Sequence, residues 1–121
     1  MSLKDRTAFV DDADTPIGAA IVRALEEAGA RVHRHAAKAG DAGAHACDLA
    51  DEAAVLAMMA KVGPVDILVH ISCPQHIAPV EEFPSATWRR ILDVGVTSAF
   101  LMSRAVLPHM RAQGWGRIVN M

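Results

Sequence analysis

The stretch Val10-Asp11-Asp12-Ala13-Asp14-Thr15-Pro16-Ile17-Gly18 decides how this chain is read. Before it lies a short apolar run, residues 7–10, with the composition of a buried strand. After it, residues 16–28 place Ile17, Ala20, Ile21, Ala24, Leu25 and Ala28 on one face of a helix. Thr15 is a good N-cap, Pro16 suits the first helical position, and Gly29 stands where a left-handed residue ends a helix. Strand, tight loop and helix in that order open a doubly wound α/β sheet. In such sheets the first loop is glycine-rich and cradles phosphate at the helix N-terminus. Here the place is filled, but Gly18 is the only glycine left in it.

The alternation continues outward from this unit. Residues 31–35 read as a second strand, polar for a buried sheet, and residues 38–43 as a Gly/Ala-rich turn. A short third strand is expected at residues 44–47 and a second helix at residues 51–61, with acids in its first turn as the helix dipole favours. Gly63-Pro64 breaks that helix, and residues 65–71 form the strongest strand candidate. A loop with Pro74 and Pro79 fills residues 72–83. Ser85 is expected to cap a helical pattern that reaches about Ala112, with a break near Gly95 and a kink at Pro108. Gly114 and Gly116 lead into a last strand at residues 117–121. The pattern predicts one α/β domain over residues 1–121: a parallel sheet with helices on both faces and right-handed crossovers.

Composition narrows the function. The 121 residues are 52% hydrophobic and 21% charged with net charge −2, which fits a soluble globular protein and offers no basic patch for nucleic acid. The longest uninterrupted apolar runs fall far short of a membrane span, so no membrane partner is expected. Two cysteines, Cys47 and Cys73, make no disulfide framework and predict free thiols in the cytoplasm. The six histidines include His33 and His35 on one strand face, and His76 lies three residues after Cys73. Neither spacing supplies the three or four converging ligands of a zinc site, so no metal is predicted. Cys73 has no activating base nearby in sequence.

Five segments carry a resemblance: Ala28-Gly29-Ala30-Arg31-Val32, Cys47-Asp48-Leu49, Val65-Asp66-Ile67-Leu68-Val69, the run from Phe100 through Pro108 to Met110, and Gly116-Arg117-Ile118-Val119-Asn120-Met121. In this order and spacing the chain resembles the short-chain dehydrogenase/reductase family. The resemblance implies a three-layer, Rossmann-like α/β/α fold with strand order 3-2-1-4-5. It also implies NAD(P)-linked alcohol and ketone chemistry. The cofactor-binding positions carried over are Asp12, Pro16, Ile17 and Gly18 in the first loop, Arg34 and His35 after the second strand, Asp48 and Leu49, and His70, Ile71 and Ser72. Asp48 matches the family acid that meets the adenine amino group; the same residue reads equally well as an acid preceding the helix near Asp51. Ala36 stands where the family often places an acid for the NAD ribose. The cations Arg34, His35 and Lys38 around it would favour a 2′-phosphate, hence NADP, though they also read as a solvated basic turn.

The departures fall on functional positions. In the family pattern T-G-x-x-x-G-x-G, Asp11 replaces the Thr, Asp12 the first Gly and Pro16 the second. The family's N-N-A-G is His70-Ile71-Ser72-Cys73, and its catalytic Asn is Gly95. Met121 stands just before the position of the family's catalytic Ser, and the chain has no tyrosine with which to form Y-x-x-x-K. No catalytic residue is therefore assigned, no turnover is expected from this chain alone, and Asp11, Asp12 and Asp14 are expected to weaken nucleotide binding. Two other functions compete. One is a non-catalytic Rossmann-like module for oligomerisation or partner binding. The other is a halohydrin-dehalogenase-like enzyme, which lacks the glycine loop. A homo-oligomer or partner chain is expected through the helix that begins at Val96 and ends at Ala112, or through the edge strand from Arg117 to Met121.

Overall fold

The structure is a computed structural model that describes residues 2–38, 40 and 43–121. Five strands form one parallel sheet: β1 (Thr7–Val10), β2 (Arg31–Ala36), β3 (Ala44–Ala46), β4 (Ile67–His70) and β5 (Arg117–Asn120). Their spatial order is β3-β2-β1-β4-β5, as the resemblance implied. The helices are α1 (Pro16–Glu27), α2 (Glu52–Val62), α3 (Ser85–Leu92) and α4 (Ser98–Gln113). A π-helical turn, Asp93–Thr97, joins the last two.

Strand period sorts the side chains into two cores, because neighbours along a strand face opposite ways. Phe9 and Leu68 point to one face, where they pack with Val55, Met59, Leu101, Met102 and Val106 of α2 and α4. Ala8, Val10, Ile67 and Val69 point to the other, against Val22, Ile21 and Leu25 of α1. Both faces of β1 and β4 are therefore covered, which gives the two-sided burial of a parallel sheet.

Several expectations shift. Ile17 is 56% exposed, and Ala20 and Ala24 are exposed too; α1 buries Gly18 and Val22 instead, a stripe rotated from the one expected. Ser85 is the first residue of α3 and caps nothing; Pro84 occupies the N-cap position. β4 is shorter than residues 65–71; just past it the Ile71 N–H goes to the Asp11 carboxylate. A 3₁₀ turn, Val80–Glu82, interrupts the loop expected at residues 72–83. Of the turn expected at residues 38–43, positions 39, 41 and 42 lie outside the described residues. No break occurs at Gly95: the helix widens into the π turn and runs on through Pro108 to a left-handed Gly114. Ser85–Gln113 thus makes one 29-residue helical stretch, long and apolar enough by length and composition to cross a membrane. The sequence reading underestimated it. Leu101, Met102, Val106 and Met110 of this stretch are buried in the core, while 28% of its most apolar window is buried in all.

Candidate functional site

The C-terminal ends of β1 and β4 sit side by side at the switch point of the sheet, the usual binding place of such folds. β1 delivers Asp11 there, with its side chain fully buried. Its Oδ1 accepts the Ile71 N–H at 2.6 Å and the Ser72 N–H at 3.2 Å. Its Oδ2 meets the His70 Nδ1. The other ring nitrogen, Nε2, donates to the Gly95 carbonyl in the π turn at 3.1 Å. A carbonyl only accepts, so Nε2 carries a hydrogen. Burial opposes a charged ring, but the hydrogen bond and charge of Asp11, the Gly95 carbonyl and the charge of Asp12 outweigh it. Together they raise the His70 pKa above its ordinary 6.5. Asp11 therefore faces inward, with His70 Nδ1 and the Ile71 and Ser72 N–H groups around its carboxylate.

The turn survives the loss of its first glycine. Asp12 adopts φ 41°, a left-handed conformation that Asp tolerates better than most residues. Its N–H donates to His35 Nδ1 at 3.1 Å, and His35 Nε2 donates to the Cys47 carbonyl at 2.8 Å. That pattern fixes the neutral Nε2–H tautomer. The Asp12 carboxylate, 3.8 Å from Nδ1, is no ion-pair partner, because the Nδ1 lone pair is already used. His35 is fully buried, so it does not join the cations expected around a 2′-phosphate. Thr15 Oγ1 donates to the Asp12 carbonyl at 2.7 Å and accepts the Gly18 N–H at 3.1 Å. Gly18 is indispensable: a Cβ there would lie 2.2 Å from the Asp12 carbonyl oxygen. Among the described residues nothing accepts the Ile17 N–H at the start of α1.

Two clefts flank this loop. One of about 330 Å³ is lined by Asp12, His35, Lys38, Asp48, Leu49, Cys73 and Arg90. Asp48 accepts the Ala50 N–H at 3.0 Å and pairs with Arg90 through both oxygens at 3.2 and 3.3 Å. The Ala50 bond first, and Arg90 second, hold its carboxyl below the usual range. The second cleft, about 670 Å³, is lined by Asp14, Arg23, Glu26, Arg34 and Lys38. Arg34 is tied there to Glu26 at 2.6 Å.

The expected positions therefore divide. Asp12, His35, Asp48 and Leu49 share the smaller cleft, and Arg34 faces the larger. Pro16, Ile17 and Gly18 open α1 and belong to the lining of neither cleft. His70 and Ser72 are buried beneath the loop, Ile71 is half-buried, and the Ser72 Oγ has no partner among the described residues. Sequence reasoning missed Cys73 and Arg90. The signal for Cys73 was present: it stands where the family has Gly, while Gly95 stands where the family has Asn. A Cβ on Gly95 would meet Cys73 Sγ at 3.1 Å, so the thiol occupies the ground beside Gly95. Among the described residues no three His, Cys, Asp or Glu converge as metal ligands.

Comparison with known proteins agrees with this geometry. The short chain dehydrogenase family matches residues 6–121, and the chain belongs to that family. It is 35% identical to the D-beta-hydroxybutyrate dehydrogenase of Cupriavidus necator, over 98% of this chain and 53% of that protein. It is 38% identical to the D-threitol dehydrogenase of Mycolicibacterium smegmatis, again over 98% of this chain and 53% of that protein. A solved metagenomic short-chain oxidoreductase in complex with NADP superposes with a TM-score of 0.90 at 32% identity, covering 99% of this chain and 62% of that one. The chain thus spans about half the length of the curated relatives it matches.

Proposed function

We propose that this chain supplies the nucleotide-binding half of an NAD(P)-linked oxidoreductase acting on alcohols and ketones, and that the nucleotide is NADP(H). The observation that carries the reading is the placement of Arg23, Arg34 and Lys38 in the larger cleft, three cations against the two acids Asp14 and Glu26, together with the Ile17 N–H at the start of α1, which has no acceptor among the described residues. A cationic cleft suits a 2′-phosphate, and an N–H at a helix start suits the pyrophosphate. Affinity is low, because the Asp12 side chain and the Pro16 ring stand where backbone must approach phosphate closely. Asp48 and Leu49 line the smaller cleft as the adenine subsite, with Arg90 competing for the Asp48 carboxylate. Titration of the chain with NADP⁺ and NAD⁺, followed by NMR shifts, tests this. The expected dissociation constant for NADP⁺ is weaker than about 1 mM, near −4 kcal/mol, with NAD⁺ weaker still. Micromolar binding of NAD⁺ would refute it.

A second reading has its own observation. Trp88, Leu92, Val96 and Phe100 recur every four residues along α3 and α4, and are 58, 39, 62 and 57% exposed. Val119 on the edge strand β5 is 47% exposed as well. These surfaces support association with a second copy or a partner chain. Light scattering at micromolar concentration tests the second copy: a 12.9 kDa species alone would rule self-association out.

A further inference from the structure

We propose that His70 is a positioning residue that fixes the π turn around Gly95 to the end of β1, and that it does so only while both ring nitrogens carry hydrogen. The geometry is the argument. Nδ1 faces the Asp11 carboxylate, and Nε2 faces the Gly95 carbonyl at 3.1 Å. Neither partner can donate when Asp11 is ionised. Both ring nitrogens must therefore supply the hydrogens. Asp11 is held in turn by the Ile71 and Ser72 N–H groups. The ring thus ties three segments together: the β1 end, the β4 end and the turn between α3 and α4. With its side chain 1% exposed, water cannot replace a lost bond without opening the structure.

Removing one proton leaves a neutral ring with one hydrogen for two acceptors. The Asp11 carboxylate keeps it, being the stronger acceptor. The Nε2 lone pair then faces the Gly95 oxygen lone pairs, and the two repel. The turn is freed on that side, held only by its own helical bonds, including Ser98 N–H to the Asp93 carbonyl and Ser98 Oγ–H to the Val94 carbonyl. The charged groups that bear on the ring are Asp11 from β1 and Asp12 from the loop; both favour the protonated state. Cys73, whose Sγ packs beside Gly95, and Asp93, within the turn itself, are further titratable groups there. Low pH thus closes the clamp and high pH opens it. This inference does not depend on nucleotide binding.

Amide hydrogen exchange of the 121-residue chain tests it between pH 6 and 9, corrected for intrinsic rate, with ring-nitrogen NMR shifts of His70 read in parallel. Two ring hydrogens are expected at pH 6. As one is lost, protection at Gly95 to Ser98 should fall at least tenfold while Leu68 in the central sheet stays unchanged. Asp11→Asn should move that transition at least one pH unit lower. His70→Asn, which retains a donor but does not titrate, should abolish the pH dependence, and it decides the matter if Asp11→Asn does not fold. A single ring hydrogen at pH 6, or pH-dependent protection that persists in His70→Asn, would overturn the proposal.

Discussion

Cys73 and Gly95 fill one space between them: a Cβ built on Gly95 meets Cys73 Sγ at 3.1 Å and Cys73 Cβ at 3.7 Å. The family pattern has glycine at the first position and asparagine at the second, so size has moved across the contact. Gly95→Asn alone should therefore destabilise the chain by about 1–3 kcal/mol through overpacking. Adding Cys73→Gly should recover most of that loss, since contacting residues couple. Urea unfolding of the two single variants and the double variant measures the coupling, and simple additivity would count against it.

Gly18 offers a stronger test of the first loop. Its added Cβ would lie 2.2 Å from the Asp12 carbonyl oxygen and 2.8 Å from Ala13 Cα, both main-chain atoms that cannot swing aside. Gly18→Ala should cost at least about 2 kcal/mol despite the better helix propensity of alanine. Ile17→Ala, one residue earlier and 56% exposed, should change stability by less than about 0.5 kcal/mol. Thermal unfolding separates the two.

At the opposite end of the sheet, Asp66 joins three segments. It accepts the Thr7 N–H at 2.8 Å, His109 Nε2 at 2.9 Å and the Gln113 amide at 2.5 Å. Burial raises its pKa, but the Thr7, Gln113 and His109 bonds outweigh burial, and the net shift is downward from 3.8. A lowered folded pKa means that the stabilisation is complete above pH 3.8 and is lost as pH falls through the folded value. Asp66→Asn should flatten that acid limb and cost about 1–3 kcal/mol at neutral pH. Urea midpoints measured from pH 2.5 to 7 give the result.

Most of the fold was legible because its cause is local. Strand period and helix caps come from neighbours in sequence: Thr15, Pro16 and Gly29 marked α1 at both ends. The strand order came from the resemblance. The site was less legible because its partners are distant. Asp11 and His70 are 59 residues apart, and no pattern in either segment announces that one bonds the other. Asp48 and Arg90, 42 residues apart, are hidden in the same way. The break expected at Gly95 rested on low helix propensity, which the packing of Val94 and Leu101 into the core overrides. Ile17 was misplaced because an apolar residue at a helix start was assigned to the core, whereas it is 56% exposed.

If the first loop limits affinity through its side chains, restoring glycine should restore binding. Asp12 already holds a left-handed φ of 41°, so Asp12→Gly fits without rearrangement. Asp12→Gly with Pro16→Gly should tighten NADP⁺ binding at least tenfold, and Glu26→Gln, which frees Arg34, should add a few-fold more. Unchanged affinity in these variants would place the limit elsewhere.

The central claim is that this half-domain is a nucleotide site selective for the 2′-phosphate, and the most direct measurement is a paired titration of the unmodified chain with NADP⁺ and NAD⁺ at low salt. The expected result is saturable but weak binding of NADP⁺, at least tenfold tighter than NAD⁺, with the largest shifts at Ile17, Arg34 and Lys38 and with the preference lost in Arg34→Ala. Equal affinity for the two nucleotides, or shifts confined to residues outside both clefts, would contradict it.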